Sequence, residues 1–386
     1  MLYNLLFPYS SQFGVLNVLR YPSFRIVAAG LVAMLLGLLL GPIFIERMRV
    51  IQYGHTNVRE DTPETHKKKA GTPSMGGALI LLAVTFSTLL FADLKNRFVW
   101  AALLVTLGYG AIGFWDDWLK ISKRNSKGLA GKKKLVFQVL VVLAVYYAVL
   151  TDWHVHVNGG FPWLTIGSYL DLHLTVPFVP THLFSPNLGW LYLPFMVLVI
   201  VATSNAVNLT DGLDGLAIGP TLVSSMTFLA LSYVAGATIA GFSLAEYLRI
   251  AYIPGAEELG VFCSAIFGAG IAFLWYNTYP ASVFMGDVGS LALGGGLGTL
   301  AVLTKNELAS AILHGVFLAE TVSVILQVWS FRTTGKRIFR MAPIHHHYEL
   351  KGWAEPKIIV RFWIMSIMLA LVALMSLKLR SPCRRI

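Results

Sequence analysis

Apolar residues in this chain come in long uninterrupted runs, not in the short alternating or amphipathic patterns of a soluble domain. Stretches without formal charge recur from end to end, and a run of about 20 apolar residues is what a helix needs to cross a bilayer. Ten helical spans are predicted, near residues 24–46, 76–92, 98–116, 134–151, 188–206, 216–237, 259–277, 289–304, 309–331 and 358–378. The first is too long for a signal-peptide core and runs into a basic loop with no small-residue cleavage site, so it reads as a retained span. The stretch from Thr151 to Asn187 differs, with Trp, Pro and Gly among alternating apolar residues. It suggests a small outer-face hairpin and an interfacial aromatic belt. No internal repeat is visible. The expectation is an all-α polytopic integral membrane protein, a single domain over residues 1–386.

Composition strengthens this picture. Of 386 residues, 56% are hydrophobic and 13% charged, about half the usual charged share of roughly 25%. The net charge of +11 is not a nucleic-acid footprint, because of where it falls. Twenty of the 30 basic residues lie in three clusters between apolar spans: Arg47 to Lys69, Lys120 to Lys134, and Arg332 to Arg361. Placed on the cytoplasmic side by the positive-inside rule, all three clusters land together and both termini lie outside. Most of these charges therefore read as topology and lipid-headgroup contacts. Cys263 and Cys383 form no metal or redox pattern.

Two further loops reach the same side with no Lys or Arg, around Asn205–Gly215 and Asn277–Ser290, and both are rich in Asp, Asn and Gly. The spans hold few ionisable groups, chiefly His314, Glu320 and Arg361. Acids at loop ends and not at mid-membrane favour surface chemistry over proton-coupled transport. His314 and Glu320 have no assigned role.

Five constellations carry candidate chemistry. Asp116 and Asp117 end the third span, where adjacent carboxylates repel each other and the negative helix end makes matters worse. Either they are headgroup-level acids, or a cation compensates them; Lys120, four residues on, can do so in part. Magnesium, which takes a few carboxylates plus phosphate oxygens, would do so better. Asn208, Asp211 and Asp214 lie on a turn with two Asp-Gly pairs that lacks the spacing and closing Glu of an EF-hand. Asp287, between two glycines, opens the eighth span in the company of Asn277; the plain alternative is a helix cap. His345, His346 and His347 are consecutive, and an extended segment would put His345 and His347 on one face. No further ligands complete a transition-metal site there, so hydrogen bonds to phosphate or sugar are expected. Finally, Lys67-Lys68-Lys69 leads into Gly71-Thr72-Pro73-Ser74-Met75-Gly76-Gly77, a weak phosphate-cradle signal that is not a Walker A loop.

Taken together, Gly71 to Gly77, Asp116-Asp117, Asn208 to Gly215, Phe284 to Ser290 and Met341 to Trp353 resemble the phospho-N-acetylmuramoyl-pentapeptide transferases. These belong to the polyprenyl-phosphate N-acetylhexosamine-1-phosphate transferase superfamily, and the likeness covers nearly the whole chain. It implies magnesium-dependent transfer of phospho-MurNAc-pentapeptide from UDP-MurNAc-pentapeptide to undecaprenyl phosphate, with release of UMP, at the cytoplasmic face of the bacterial inner membrane. It also implies a homodimer among membrane lipids. By the matching motifs, Asp287 would be the magnesium ligand, and Asp116 or Asp117 would activate or position the lipid phosphate. Asp214 and Phe284 would hold uracil, while Asp211, Asn208 and Asn277 would line the nucleotide–sugar site. Lys69, Ser74, Lys120, Lys132, His345, His346 and His347 would contact phosphates and substrate. Direct attack by the lipid phosphate is favoured over a covalent phospho-enzyme. The rivals are a relative using UDP-N-acetylglucosamine and, in another class, a transporter of lipid-linked substrate.

Overall fold

The structure, a computed structural model, describes residues 2–52, 71–123, 128–158, 161–180, 183–239, 242–248 and 250–379. After a short α1 (Leu2–Leu6), the helices are α2 (Pro22–Ile51), α3 (Gly77–Phe91), α4 (Arg97–Ser122) and α5 (Gly131–Val149). A hairpin, β1 (Thr151–Asn158) and β2 (Phe161–Ser168), pairs antiparallel from Thr151 opposite Ser168 to Asn158 opposite Phe161. This is the hairpin expected within residues 151–187. Then come α6 (Tyr192–Thr210), α7 (Ile218–Gly236), the two-residue strands β3 (Thr238–Ile239) and β4 (Phe242–Ser243), and a short α8 (Leu244–Leu248). The chain continues through α9 (Leu259–Asn277), α10 (Gly286–Leu303), α11 (Glu307–Leu313), α12 (Gly315–Thr334), α13 (Ile344–Glu349) and α14 (Glu355–Leu379).

Each predicted span corresponds to helix, but not every helix is a full crossing. Among the described residues, seven helices are long and apolar enough to cross a membrane, or eight if α11 and α12 are counted as one span bent by 82°. The expected count of ten is therefore not reached. At 15 residues α3 is roughly 22 Å long, short of a hydrocarbon layer of about 30 Å. In α5 the lysines 132–134 fill the first turn and shorten the apolar run. The bend in the predicted ninth span falls at His314, whose ring is wedged between Phe228 and Phe317 at 5.8 and 5.9 Å between centroids.

The helix α10 forms the axis of the molecule. It is buried from Val288 to Leu303 and packs against α4 on one side and α6 on another, while α9 joins α2, α3 and α7 behind it. Small residues make this possible. A side chain at Gly295 would begin 2.8 Å from the Tyr109 ring of α4, and one at Gly294 2.6 Å from the Ser204 Cα of α6. Close backbone approach of this kind is how helices associate where no water drives them together.

At the end of the bundle away from the acidic loops, Arg25 and Glu258 form a buried bidentate ion pair at 2.5 and 2.6 Å. Arg25 also donates to the Phe91 carbonyl, Glu258 accepts from the Asp93 amide, and the Tyr3 ring lies 4.1 Å from the guanidinium. This ties α2, α3 and the start of α9 together. Removing one partner of such a pair strands the other charge, at a cost of about 3–5 kcal/mol. Glu258→Ala is expected to show that loss in reversible unfolding, and Arg25→Met/Glu258→Gln to recover most of it.

Candidate active site

The site forms where the C-terminal end of α4 meets the N-terminal end of α10. Gly113 lets the helices touch, since a Cβ there would lie 2.2 Å from the Asp287 carbonyl oxygen. At Gly286 the backbone is left-handed (φ +71°), and a Cβ would lie 2.6 Å from Asp117 Oδ2 and 2.8 Å from Ser74 Oγ. Asp116 and Asp117, 1% and 5% exposed, thus come beside Asp287. The three offer carboxylate oxygens within 4.8 Å of one another.

Two ammonium groups hold this charge. Lys120 Nζ lies 2.6 Å from Asp116 Oδ2, 3.2 Å from Asp117 Oδ1 and 3.1 Å from Asp287 Oδ2. Lys134 Nζ of α5 lies 2.7 Å from Asp287 Oδ2 and 3.4 Å from Asp116 Oδ1. Backbone amides add to this: Leu129 donates to Asp116 Oδ1 at 2.7 Å, and Val288 to Asp117 Oδ2 at 3.3 Å. Asn208, at the end of α6, donates to Asp287 Oδ1 and to Ser290 Oγ, both at 2.8 Å.

The surrounding loops are pinned by polar side chains. Asp214 Oδ2 accepts from the Ala281 amide, and the Asp214 amide donates to Glu355. Asn277 accepts from the Gly215 amide and donates to the Val283 carbonyl. The backbone of Phe284 is laced to residues 73–76, its amide donating to the Pro73 carbonyl and its carbonyl accepting from the Gly76 amide. Gln52 grips both backbone groups of Ser74. Asp211 stands on the loop beside the cluster. Burial, and then the charges of Asp287, Asp117 and Asp214, push its carboxyl up to about 8.

The three histidines lie on α13, not in an extended segment. With 3.6 residues per turn, His345 and His347 therefore do not share a face. His345 Nδ1 is 3.1 Å from the buried Glu320 of α12, and its Nε2 faces Gly212. His346 pairs with Glu349 at 2.7 Å, and His347 Nδ1 accepts from the Arg340 amide.

Of the residues expected at the site, Asp116, Asp117, Lys120, Asn208, Asp287 and Ser74 converge. Asp211 lies beside them, Asp214 and Asn277 hold the loops, and Phe284 borders the glycine turn. His346 and His347 bond within their own segment, and Lys69 falls outside the described residues. Lys132 is exposed, and it is Lys134 that reaches the carboxylates. Lys134 could have been picked out, because Gln138 in the following apolar run marks the inward face four residues later. Gln52, Glu320 and Glu355 were not foreseen, since each acts through a distant loop or helix.

Fold and site together define a polytopic membrane protein with a carboxylate–lysine cluster suited to phosphate chemistry. The glycosyl transferase family 4 profile matches residues 99–305, and the phospho-N-acetylmuramoyl-pentapeptide-transferase signature 1 matches residues 69–81. A phospho-N-acetylmuramoyl-pentapeptide-transferase of Anaeromyxobacter sp. (strain Fw109-5) is 90% identical over 98% of this chain and 100% of its own length. The enzyme of the same name from Myxococcus xanthus (strain DK1622) is 62% identical over 95% and 96%. That from Citrifermentans bemidjiense is 52% identical over 98% and 100%. The chain belongs to glycosyl transferase family 4 and, within it, to the phospho-N-acetylmuramoyl-pentapeptide-transferases.

Two outcomes follow from the geometry. Gly113→Ala is expected to part α4 from α10 and cut transferase turnover roughly a hundredfold, the scale of an ångström-sized misplacement, while the protein still purifies folded. Asp211 supplies a pH dependence. Its raised carboxyl means the folded state holds the proton more tightly than the unfolded chain. That stability is complete below the ordinary carboxylate range and is lost as pH rises through about 8. In chelator, thermal stability should fall from about pH 4 to about pH 8, by no more than about 1.4 kcal/mol per pH unit from this group. Asp211→Asn should flatten that slope.

Proposed function

We propose that this chain transfers phospho-MurNAc-pentapeptide from UDP-MurNAc-pentapeptide to undecaprenyl phosphate at the cytoplasmic face of the bacterial inner membrane. An oxygen of the lipid phosphate attacks the sugar-bearing phosphorus of the donor, the bond from that phosphorus to the bridging oxygen breaks, and UMP leaves with that oxygen. The product is the lipid-linked pyrophosphate. The observation that carries this reading is the convergence of Asp116, Asp117 and Asp287 with Lys120 and Lys134 at the ends of membrane helices, in a chain so close to enzymes of that name.

The carboxylate cluster fits magnesium: three hard oxygen donors, two of them buried, lie within reach of one ion. Asp287, with Asp116 and Asp117 beside it, would hold the ion. Bound there, magnesium would supply charge neutralisation for the pyrophosphate and for the leaving UMP. The chain's own groups do the rest. Lys120 counters the burial that disfavours charge on Asp116 and Asp117, Lys120 and Lys134 together stabilise the charged form of Asp287, and both offer positive charge to phosphate oxygens. Asn208 fixes the Asp287 oxygen that faces it. His345, oriented by Glu320, stands over Gly212 on the loop proposed to carry the nucleotide. Phe284 and Asp214 remain the proposed uracil contacts, and Asn277 and Asp211 the proposed lining of the sugar site. Lys69, Ser74, Lys132, His346 and His347 remain proposed substrate contacts, and the active form is proposed to be a homodimer.

Asp287→Asn is expected to abolish magnesium-dependent UMP release from UDP-MurNAc-pentapeptide in protein that still extracts folded from membranes. Turnover near the wild-type rate would sink the assignment. Wild-type protein should favour UDP-MurNAc-pentapeptide over UDP-N-acetylglucosamine in parallel assays; the reverse preference would point to the related sugar transferases.

A further inference from the structure

One turn and more beneath the carboxylates, a second polar layer links the helices that carry the site. Asn205 on α6 donates through Nδ2 to Gln138 Oε1 on α5 at 2.8 Å, and to the Val201 carbonyl at 2.8 Å. Tyr109 on α4 donates to the Gln138 carbonyl at 3.3 Å. The Tyr109 ring in turn packs on Gly295 of α10. Each member sits below a working residue on its own helix. Gln138 is four residues from Lys134, about 6 Å along the axis, and Asn205 is three from Asn208, about 4.5 Å. Lys134 holds Asp287 Oδ2, which Lys120 shares, and Asn208 holds Oδ1.

Packing alone does not account for this pair. Gln138 is fully buried, and its Nε2 has no hydrogen-bond partner among the described residues. A buried donor left unmade is costly, and an apolar side chain of the same size would avoid that cost. What the amide provides is its other end, the acceptor that Asn205 uses.

We propose that the Gln138–Asn205 amide pair is a positioning device for the transferase site. It fixes the separation of α5 from α6 so that Lys134 and Asn208 each reach an oxygen of Asp287. The two residues are positioning residues: their hydrogen bonds go to each other and to backbone carbonyls and a tyrosine, not to the carboxylates.

The proposal rests on the transferase reading for its turnover measurement but not for its binding measurement. The test uses the full-length protein in detergent, as Gln138→Met, Asn205→Leu and the double variant. Manganese(II) is titrated into substrate-free protein and followed by electron paramagnetic resonance, with UMP release and melting temperature measured in parallel. Each single change should weaken manganese binding and lower kcat roughly tenfold, the lower end of what outer-shell partners contribute, with KM for the donor little changed. The double variant should be no worse than the poorer single, because both remove one bond. Unchanged binding and turnover, additive losses, or losses that track a fall in melting temperature would overturn the proposal. A wild-type protein that binds manganese but releases no UMP would instead overturn the transferase reading, leaving the binding series to judge the pair.

Discussion

Three carboxylates with oxygens inside 4.8 Å constrain everything else in this molecule. At an effective dielectric near 20, two unit charges about 4 Å apart repel by roughly 4 kcal/mol, so the cluster exists only because other groups hold it together. Lys120 and Lys134 offset two of the three negative charges, leaving a formal −1. A divalent cation would turn that into +1, a balance suited to several phosphate oxygens at once. The cluster thus lies one cation short of attracting its own substrates.

The fold serves this arrangement through close approach at one end and tight locking at the other. Gly113 allows α4 to lie on the Asp287 carbonyl, and Gly286 leaves room for Asp117 and Ser74 at the turn. The opposite end is clamped by Arg25 and Glu258, and by Lys305, whose ammonium reaches the Asp171 carbonyl, Tyr192 and Glu307. These buried ionic clamps bridge segments far apart in sequence. The loops near the carboxylates are held by neutral amides and single carboxylates, so the charge that could compete with substrate is kept away from them.

Much of this was legible from the chain. Apolar runs gave the helices, and the hairpin was visible in alternating residues among Trp, Pro and Gly. The acidic residues stood out because they sat in short loops without topology charges. What stayed hidden depended on three-dimensional phase. The run of lysines 132–134 looks uniform in sequence, yet helical rotation turns only Lys134 onto the carboxylates. The histidines suggested an extended strip, but six residues of helix scatter them, and only His345 meets Glu320. Glu320 itself looked like an unexplained charge inside a span, because the bend at His314 that turns α12 is not written in any local signal. The count of ten spans is not confirmed for a similar reason: α3 and α5 are helical, yet one is short and the other begins with lysines.

The same burial bears on how the phosphoryl group would move. A covalent route needs a carboxylate oxygen free to approach phosphorus in line. Asp116 is 1% exposed; its Oδ1 accepts from the Leu129 amide and its Oδ2 lies against Lys120. Asp117 is little more accessible, with Oδ1 at Lys120 and Oδ2 at the Val288 amide. Forming a phospho-aspartate at either would first break these contacts and cost Lys120 one of its three carboxylate partners. An incoming lipid phosphate brings its own anionic oxygen and needs only to be held beside Lys120 and Lys134. This burial favours the proposed direct attack, in which the aspartates would serve as fixed counter-charges for the groups that bind phosphate.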